Sequence, residues 1–170
     1  MERAKPFSVL FVCAANMCRS PTAHGMLRHK LRQLGLEQQV TVDSAGTHNL
    51  YTDSPPDERS QQFAAQRGYD ISDLRSRYLQ DTDFTLADLI LVMDWNNLSL
   101  VQQRCPPEHQ VKVRRVMEFG QLEGVAIVPD PYRCAQKDFE HVLDSLEMAC
   151  EGLLLHVQMA RGGHPSTKGV

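Results

Sequence analysis

The sequence predicts an α/β domain in three layers, with a small parallel sheet of about four strands flanked by helices. Three observations carry this. The short runs "FSVLFV" (7–12) and "ADLILVMD" (87–94) are apolar almost throughout, the pattern of strands covered on both faces. The segment joining the first run to "VTVDSAG" (40–46) is long enough to hold a crossover helix, which makes those two strands parallel neighbours. Near the end, Phe139, Val142, Leu143, Leu146, Cys150, Leu153, Leu154 and Val157 keep one stripe at a 3.6-residue period, the mark of a helix packed on a core.

Each element has its local reason. After the first strand, Ser20 is suited to cap a helix and Pro21 to occupy its first position. Met26, Leu27, Leu31 and Leu34 then recur at helical spacing, and Gly35 supplies the stop. The stretch 40–46 alternates and ends in glycine, as a second strand does. "YTDSPPDERSQQFAAQRG" reads as a loop entering a short helix that ends at Gly68. The third strand is 87–94, and "HQVKVRRVMEF" (109–119) holds the fourth. The polar, breaker-rich stretch 161–170 is expected to be a disordered tail, leaving residues 1–160 as a single domain.

Composition narrows the function. A chain of 170 residues, 42% hydrophobic and 23% charged, is long enough for one domain with a proper core. Its net charge of -3 gives no broad attraction to nucleic acid or to an anionic membrane, so an anionic ligand needs a local positive field. No apolar run approaches the ~18 residues of a membrane span, and "MERAKPFSVLFVCAAN" reads as a first strand with no signal peptide. The five cysteines, Cys13, Cys18, Cys105, Cys134 and Cys150, lack the spacing of a disulfide framework and point to free thiols in a reducing cytoplasm. No metal site is expected: Cys13 and Cys18 have no second close ligand pair, and His24 and His29 would lie ~140° apart on a helix.

Chemistry is expected where ligands bind in such sheets, outside the carboxyl ends of the strands. There "VCAANMCRSP" (12–21) leaves strand one, Ser44 and Gly46 leave strand two, and Asp94 leaves strand three. The spacing Cys13-x5-Arg19, followed by Ser20, fits a loop whose backbone amides converge on one point at a helix start. Arg19 can add a bidentate fork matched to a phosphate face. The same field would favour a thiolate at Cys13, a ready nucleophile for displacement at phosphorus through a phosphocysteine. On spacing alone, a buried structural cysteine and a solvated arginine fit as well. The Ser20–Pro21 helix start tips the balance toward an anion site.

"VCAANMCRSP" resembles the signature loop V-C-x-x-N-x-C-R-S-P of the low-molecular-weight protein tyrosine phosphatases, and "DPY" (130–132) resembles that family's second signature. "DSAGT" and "MDWNN" agree in order and spacing, so the resemblance runs over roughly residues 7–158. It implies a cofactor-free enzyme acting on phosphotyrosine in proteins, as a monomer or weak dimer, without nucleic-acid or membrane partners. By position, Cys13 would be the nucleophile, Arg19 the phosphate clamp, and Asp130 the general acid and then base. Ala14, Ala15, Asn16, Met17, Cys18 and Ser20 would complete the phosphate-binding loop. The resemblance further implies a left-handed turn at Asn16, a hydrogen bond from Ser20 to Cys13, and Ser44 as a brace for Asn16. Under oxidation Cys18 could pair reversibly with Cys13. Leu50 or Tyr51 on one side and Tyr132 on the other would form the substrate cleft.

The chain departs from that pattern in informative places. Ala15 stands where glycine is usual, and Met17 where isoleucine is; a bulky apolar side chain there argues against an arginine-phosphate substrate. An acid–base pair usual beside the loop is expected to be exchanged here for His24 with Asp43 or Asp73. Arg133 follows Tyr132 in place of a second aromatic, which points to acidic residues flanking the phosphotyrosine. An arsenate reductase of the same fold would need relay cysteines, and between residues 19 and 133 there is only Cys105. A binding module without turnover would have no use for Cys13 and Asp130 together. Neither G-x-x-x-x-G-K-[ST] nor G-x-G-x-x-G occurs.

Overall fold

The computed structural model describes residues 5–121 and 123–162. Strand β1 (Phe7–Cys13) runs into helix α1 (Arg19–Gln33), strand β2 (Val40–Gly46) and helix α2 (Glu58–Gln66). The short helix α3 (Asp81–Leu86) leads to strand β3 (Leu89–Val92), helix α4 (Trp95–Arg104), strand β4 (Val113–Arg115) and the long helix α5 (Gln136–Ala160). Short 3-10 turns at Pro107–Lys112 and Val116–Glu118 flank β4. The four strands form one parallel sheet in the order β2-β1-β3-β4, as the apolar runs require. Its register sets Phe7 against Val40 and Cys13 against Gly46, so β1 and β2 end level at the carboxyl rim.

Alternation along the strands divides the core in two. Val9, Phe11, Leu89 and Leu91 face a large cluster with Met26 and Leu27 of α1, Phe63 of α2 and the α5 stripe. Leu10, Val12, Ile90 and Val92 face a smaller cluster with Phe84 of α3, Val101 of α4 and Cys105. Helices therefore cover both faces, which gives the three layers and explains why β1 and β3 carry no polar alternation.

Three expectations about elements are corrected. Ser20 does not cap α1: the helix starts at Arg19 with Cys18 at the cap position, and Ser20 lies inside, fully buried. Its hydroxyl is engaged by Cys13 and Asn16, so it is not available to the helix end. Pro21 is the third helical residue, where its missing N–H is still one of the four that lack a helical partner. The third strand covers only 89–92, because Asp94 turns out of the sheet to cap α4, accepting from the Asn97 amide at 2.7 Å. The sequence reading contains neither α3 nor α4; at six and ten residues they are too short to repeat an apolar stripe. From residue 163 on, the expected tail lies outside the described residues.

Helix α5 approaches the Val116–Glu118 turn so closely that a Cβ on Gly152 would lie 2.0 Å from the Phe119 carbonyl oxygen. Backbone cannot yield there as a side chain would. Gly152→Ala is expected to lower unfolding free energy by about 2–3 kcal/mol, the upper range for overpacking. Urea unfolding with an unchanged m value checks it, and a loss below ~0.5 kcal/mol would contradict the close approach.

Candidate active site

Ala14 to Cys18 connect β1 to α1, and neighbouring segments take up the loop's outward carbonyls. The Thr47 amide donates to Cys13 O at 2.8 Å, His48 to Ala14 O at 2.9 Å and Asp57 to Met17 O at 2.9 Å. With those carbonyls committed outward, the intervening amides can converge on the centre, the nest geometry that suits an anion. Asn16 has φ 57°, the left-handed region that Asn tolerates. Its side chain donates to Ser20 Oγ at 2.8 Å and accepts from the Arg77 amide at 3.0 Å. Ala15 is not among the positive-φ residues, so its methyl costs nothing where glycine is usual. Gly46 is needed for clearance: a Cβ there would meet Ala14 O at 2.8 Å.

Cys13 Sγ lies 3.0 Å from Ser20 Oγ, and Cys13 is 3% exposed. Because Asn16 already donates to that hydroxyl, its single proton goes either to Cys13 or to Ala45 O, 3.5 Å away. The shorter contact favours the sulfur. Arg19 is equally buried, at 3%. Its Nη1 donates to Asp94 Oδ2 at 2.6 Å and to Val128 O at 2.9 Å. Its Nη2 lies 3.6 Å from Asp130 Oδ2. One edge of the guanidinium is thus anchored by Asp94 and Val128, and the other is turned toward Asp130.

Cys13, Ala14, Ala15, Met17, Cys18 and Arg19 line the lower part of a cleft of about 160 Å³, with Leu50, Tyr51, Asp130 and Tyr132 around it. Both candidates for the second wall, Leu50 and Tyr51, are therefore present, and the neighbouring Tyr132 phenol holds the Tyr51 hydroxyl above its ordinary pKa. Asn16 and Ser20 sit behind the loop. Burial pushes the Cys18 thiol up to about 12, against a smaller downward pull from the Ser60 hydroxyl. Cys13 and Cys18 are both free thiols. Cys105 belongs to the apolar cluster on the other face of the sheet from Cys13, away from any relay to it. Among the described residues no group of three or more His, Cys, Asp or Glu is placed to hold a metal, and no helix is long and apolar enough to cross a membrane.

Two expected partnerships are corrected. Ser44 does not brace Asn16; its Oγ lies 3.1 Å from His24 Nδ1, while Ser20 and the Arg77 amide hold Asn16. His24 is not paired with a carboxylate, since Asp43 binds Arg77 at 2.8 Å and Asp73 binds Arg28 at 2.7 Å. Two residues have roles that the sequence reading does not assign: Asp94 as the anchor of Arg19, and Asp57 as a link between α2 and the loop. Asp94 is visible as the polar end of an apolar run, but nothing in the chain announces a partner 75 residues away.

A family model described as low molecular weight phosphotyrosine protein phosphatase matches residues 8–162. Low molecular weight protein-tyrosine-phosphatase YfkJ of Bacillus subtilis is 31% identical over 151 residues, 89% of this chain and 96% of that protein. Its crystal structure superposes with a TM-score of 0.88, at 30% identity, covering 94% of this chain and 99% of that one. Low molecular weight protein-tyrosine phosphatase A of Mycobacterium tuberculosis is 35% identical over 160 residues, 93% of this chain and 97% of that protein. The crystal structure of a protein tyrosine phosphatase from Entamoeba histolytica, with Hepes in its active site, gives a TM-score of 0.86 at 33% identity, covering 92% and 98% of the two chains.

Burial lowers the His24 imidazole from 6.5 to about 4. Between those values the unfolded chain binds a proton that the folded chain refuses, so stability is full above pH 6.5, falls as pH drops from 6.5 to 4, and is fully lost below 4. His24→Gln, which keeps a hydrogen-bonding group toward Ser44, is expected to lose this sensitivity. Its unfolding free energy relative to wild type should rise by about 2–3 kcal/mol between pH 7.5 and pH 4.5 in denaturant titrations. A constant difference would show that His24 titrates normally.

Proposed function

The chain belongs to the low molecular weight phosphotyrosine protein phosphatase family of hydrolases, and on that premise we propose that it hydrolyses phosphotyrosine in proteins by two in-line displacements. In the first, Cys13 Sγ attacks phosphorus while Arg19 Nη2 and the loop amides hold the phosphoryl oxygens. The P–O bond to the phenol breaks, and Asp130 protonates the departing oxygen. In the second, Asp130 takes a proton from water, which attacks phosphocysteine and releases inorganic phosphate and the Cys13 thiolate. The Ser20 hydroxyl, 3.0 Å from the sulfur, stabilises that leaving group.

One observation carries this reading. Cys13, Arg19 and Asp130 border the same cleft, with the free edge of Arg19 3.6 Å from Asp130. Tyr132, Tyr51 and Leu50 supply apolar walls suited to an aryl ring. Arg133 is exposed beside them and would favour acidic residues next to the phosphotyrosine. We read the unit performing this chemistry as a single domain over residues 1–160, working without a metal or cofactor in a reducing compartment, as a monomer or weak dimer.

Wild type is expected to release phosphate from a phosphotyrosine peptide without added metal, and Cys13→Ser to release none. A folded, reduced wild type with no turnover would refute the reading. Asp94→Asn tests the anchor separately. It keeps the cap of α4 but removes the charge facing Arg19, and should lower kcat/KM by about 10–100-fold by loosening the clamp. An unchanged kcat/KM would mean that Val128 O alone suffices to aim Arg19.

A further inference from the structure

We infer that Asp57 and Arg59, at the start of α2, form a bracket that holds the loop bearing Asp130 over the phosphate-binding loop, which makes Arg59 a positioning residue for the acid. The inference rests on the reading of Asp130 as general acid and adds to it the means by which that acid is placed. The connection can be followed bond by bond. The Asp57 amide donates to Met17 O of the phosphate-binding loop at 2.9 Å. The Asp57 carboxylate caps α2, accepting from the Arg59 and Ser60 amides at 2.9 and 3.3 Å, and also takes Arg59 Nε at 3.3 Å. Arg59 Nη2 then donates to Tyr132 O at 2.6 Å. The Tyr132 amide in turn donates to Asp130 Oδ1 at 3.1 Å. Three residues, Asp57, Arg59 and Tyr132, thus connect the nucleophile's loop to the acid.

Packing supports the same geometry. The Arg59 guanidinium lies 4.8 Å from the Phe139 ring centroid and 5.9 Å from that of Tyr132. Phe139 stacks on Phe63 of α2, with centroids 5.4 Å apart. The guanidinium therefore sits between the first turn of α5 and the acid loop, in contact with both, and its planar fork can bond Asp57 and the Tyr132 carbonyl together. The Arg59 side chain is 43% exposed, so these bonds contribute little to global stability. What they fix is the position of a half-exposed loop: the Asp130 side chain is 52% exposed, and its direct tie to the floor is the 3.6 Å contact with Arg19.

A misplaced acid is felt most when the leaving group is poor. Wild type, Arg59→Ala, Arg59→Lys and Asp130→Asn would be compared by kcat/KM on phenyl phosphate and 4-nitrophenyl phosphate, since this ratio reports phosphocysteine formation. A general acid contributes about 10²–10⁴-fold. Partial misplacement in Arg59→Ala should therefore cost about 10–100-fold on phenyl phosphate and within about 3-fold on the nitrophenyl ester. Arg59→Lys should recover part of the loss, because an ammonium can still reach the Tyr132 carbonyl. Equal losses on both substrates, or none, would overturn the bracket. Asp130→Asn separates the two claims. If it shows the leaving-group bias and Arg59→Ala does not, only the bracket fails. If Asp130→Asn shows no bias, the assignment of the acid fails and the bracket with it.

Discussion

Only 3% of the Arg19 residue reaches solvent, and a charge buried that deeply costs several kcal/mol unless it is paired and hydrogen-bonded. The architecture around the site is the set of segments that meet this requirement. Asp94 must leave β3 at the point where it faces α1, which shortens the strand and starts α4. Val128 must present its carbonyl to the same guanidinium, and its own amide is held by Met93 O at 2.8 Å, the residue before Asp94. That contact also brings in the segment carrying Asp130, two residues further on. One buried cation thus ties together the end of β3 and the start of the loop bearing Asp130.

The same pairing explains how a chain of net charge -3 can hold an anion. Field at the cleft is local: the loop amides free to converge there, the start of α1 and the edge of Arg19 turned away from Asp94. Asp94 is bound to the other edge at 2.6 Å, so it neutralises part of the guanidinium charge and also aims what remains. Asp130 approaches Nη2 at 3.6 Å, too long for a good hydrogen bond. On the proposed mechanism a phosphoryl group on that nitrogen would displace a weak contact and leave the Asp130 carboxyl free to turn toward the bridging oxygen. Asp94 and Asp130 differ in their distance to one side chain, 2.6 against 3.6 Å, and on that mechanism the difference would separate anchor from acid.

How much of this was legible in the sequence depended on range. β1, β2 and the α5 stripe could be read because continuous or periodic burial leaves a local trace. The Cys13–Arg19 loop could be read because its chemistry lies within seven consecutive residues. Ser20 was legible in two ways: local pattern suggested a helix cap, which it is not, and the family resemblance implied the contact with Cys13, which it makes across the loop. Ser44 and His24 were both visible, yet their pairing follows from the β2 register and the face of α1, which local pattern does not fix. The pairs Arg19–Asp94 and Arg59–Tyr132 span 75 and 73 residues, and short helices such as α3 leave no stripe to reveal the path between them.

Floor and walls of the cleft rest on different supports, and this bears on what can change. The floor is bonded to β2, α2 and the segment near Arg77 through backbone groups and buried side chains, so an alteration there disturbs several elements at once. Gly46 shows the tolerance: one methyl would contact the Ala14 carbonyl at 2.8 Å. Leu50, Tyr51 and Tyr132 lie on loops and are 65%, 41% and 45% exposed. Side chains in such positions can be exchanged with little effect on the core, which is where binding preferences are expected to diverge. Asp130 lies on the exchangeable side, yet the proton transfer proposed for it would need the precision of the floor. A wall residue with a floor residue's task needs a tie across the gap, and only a few bonds are available to supply it.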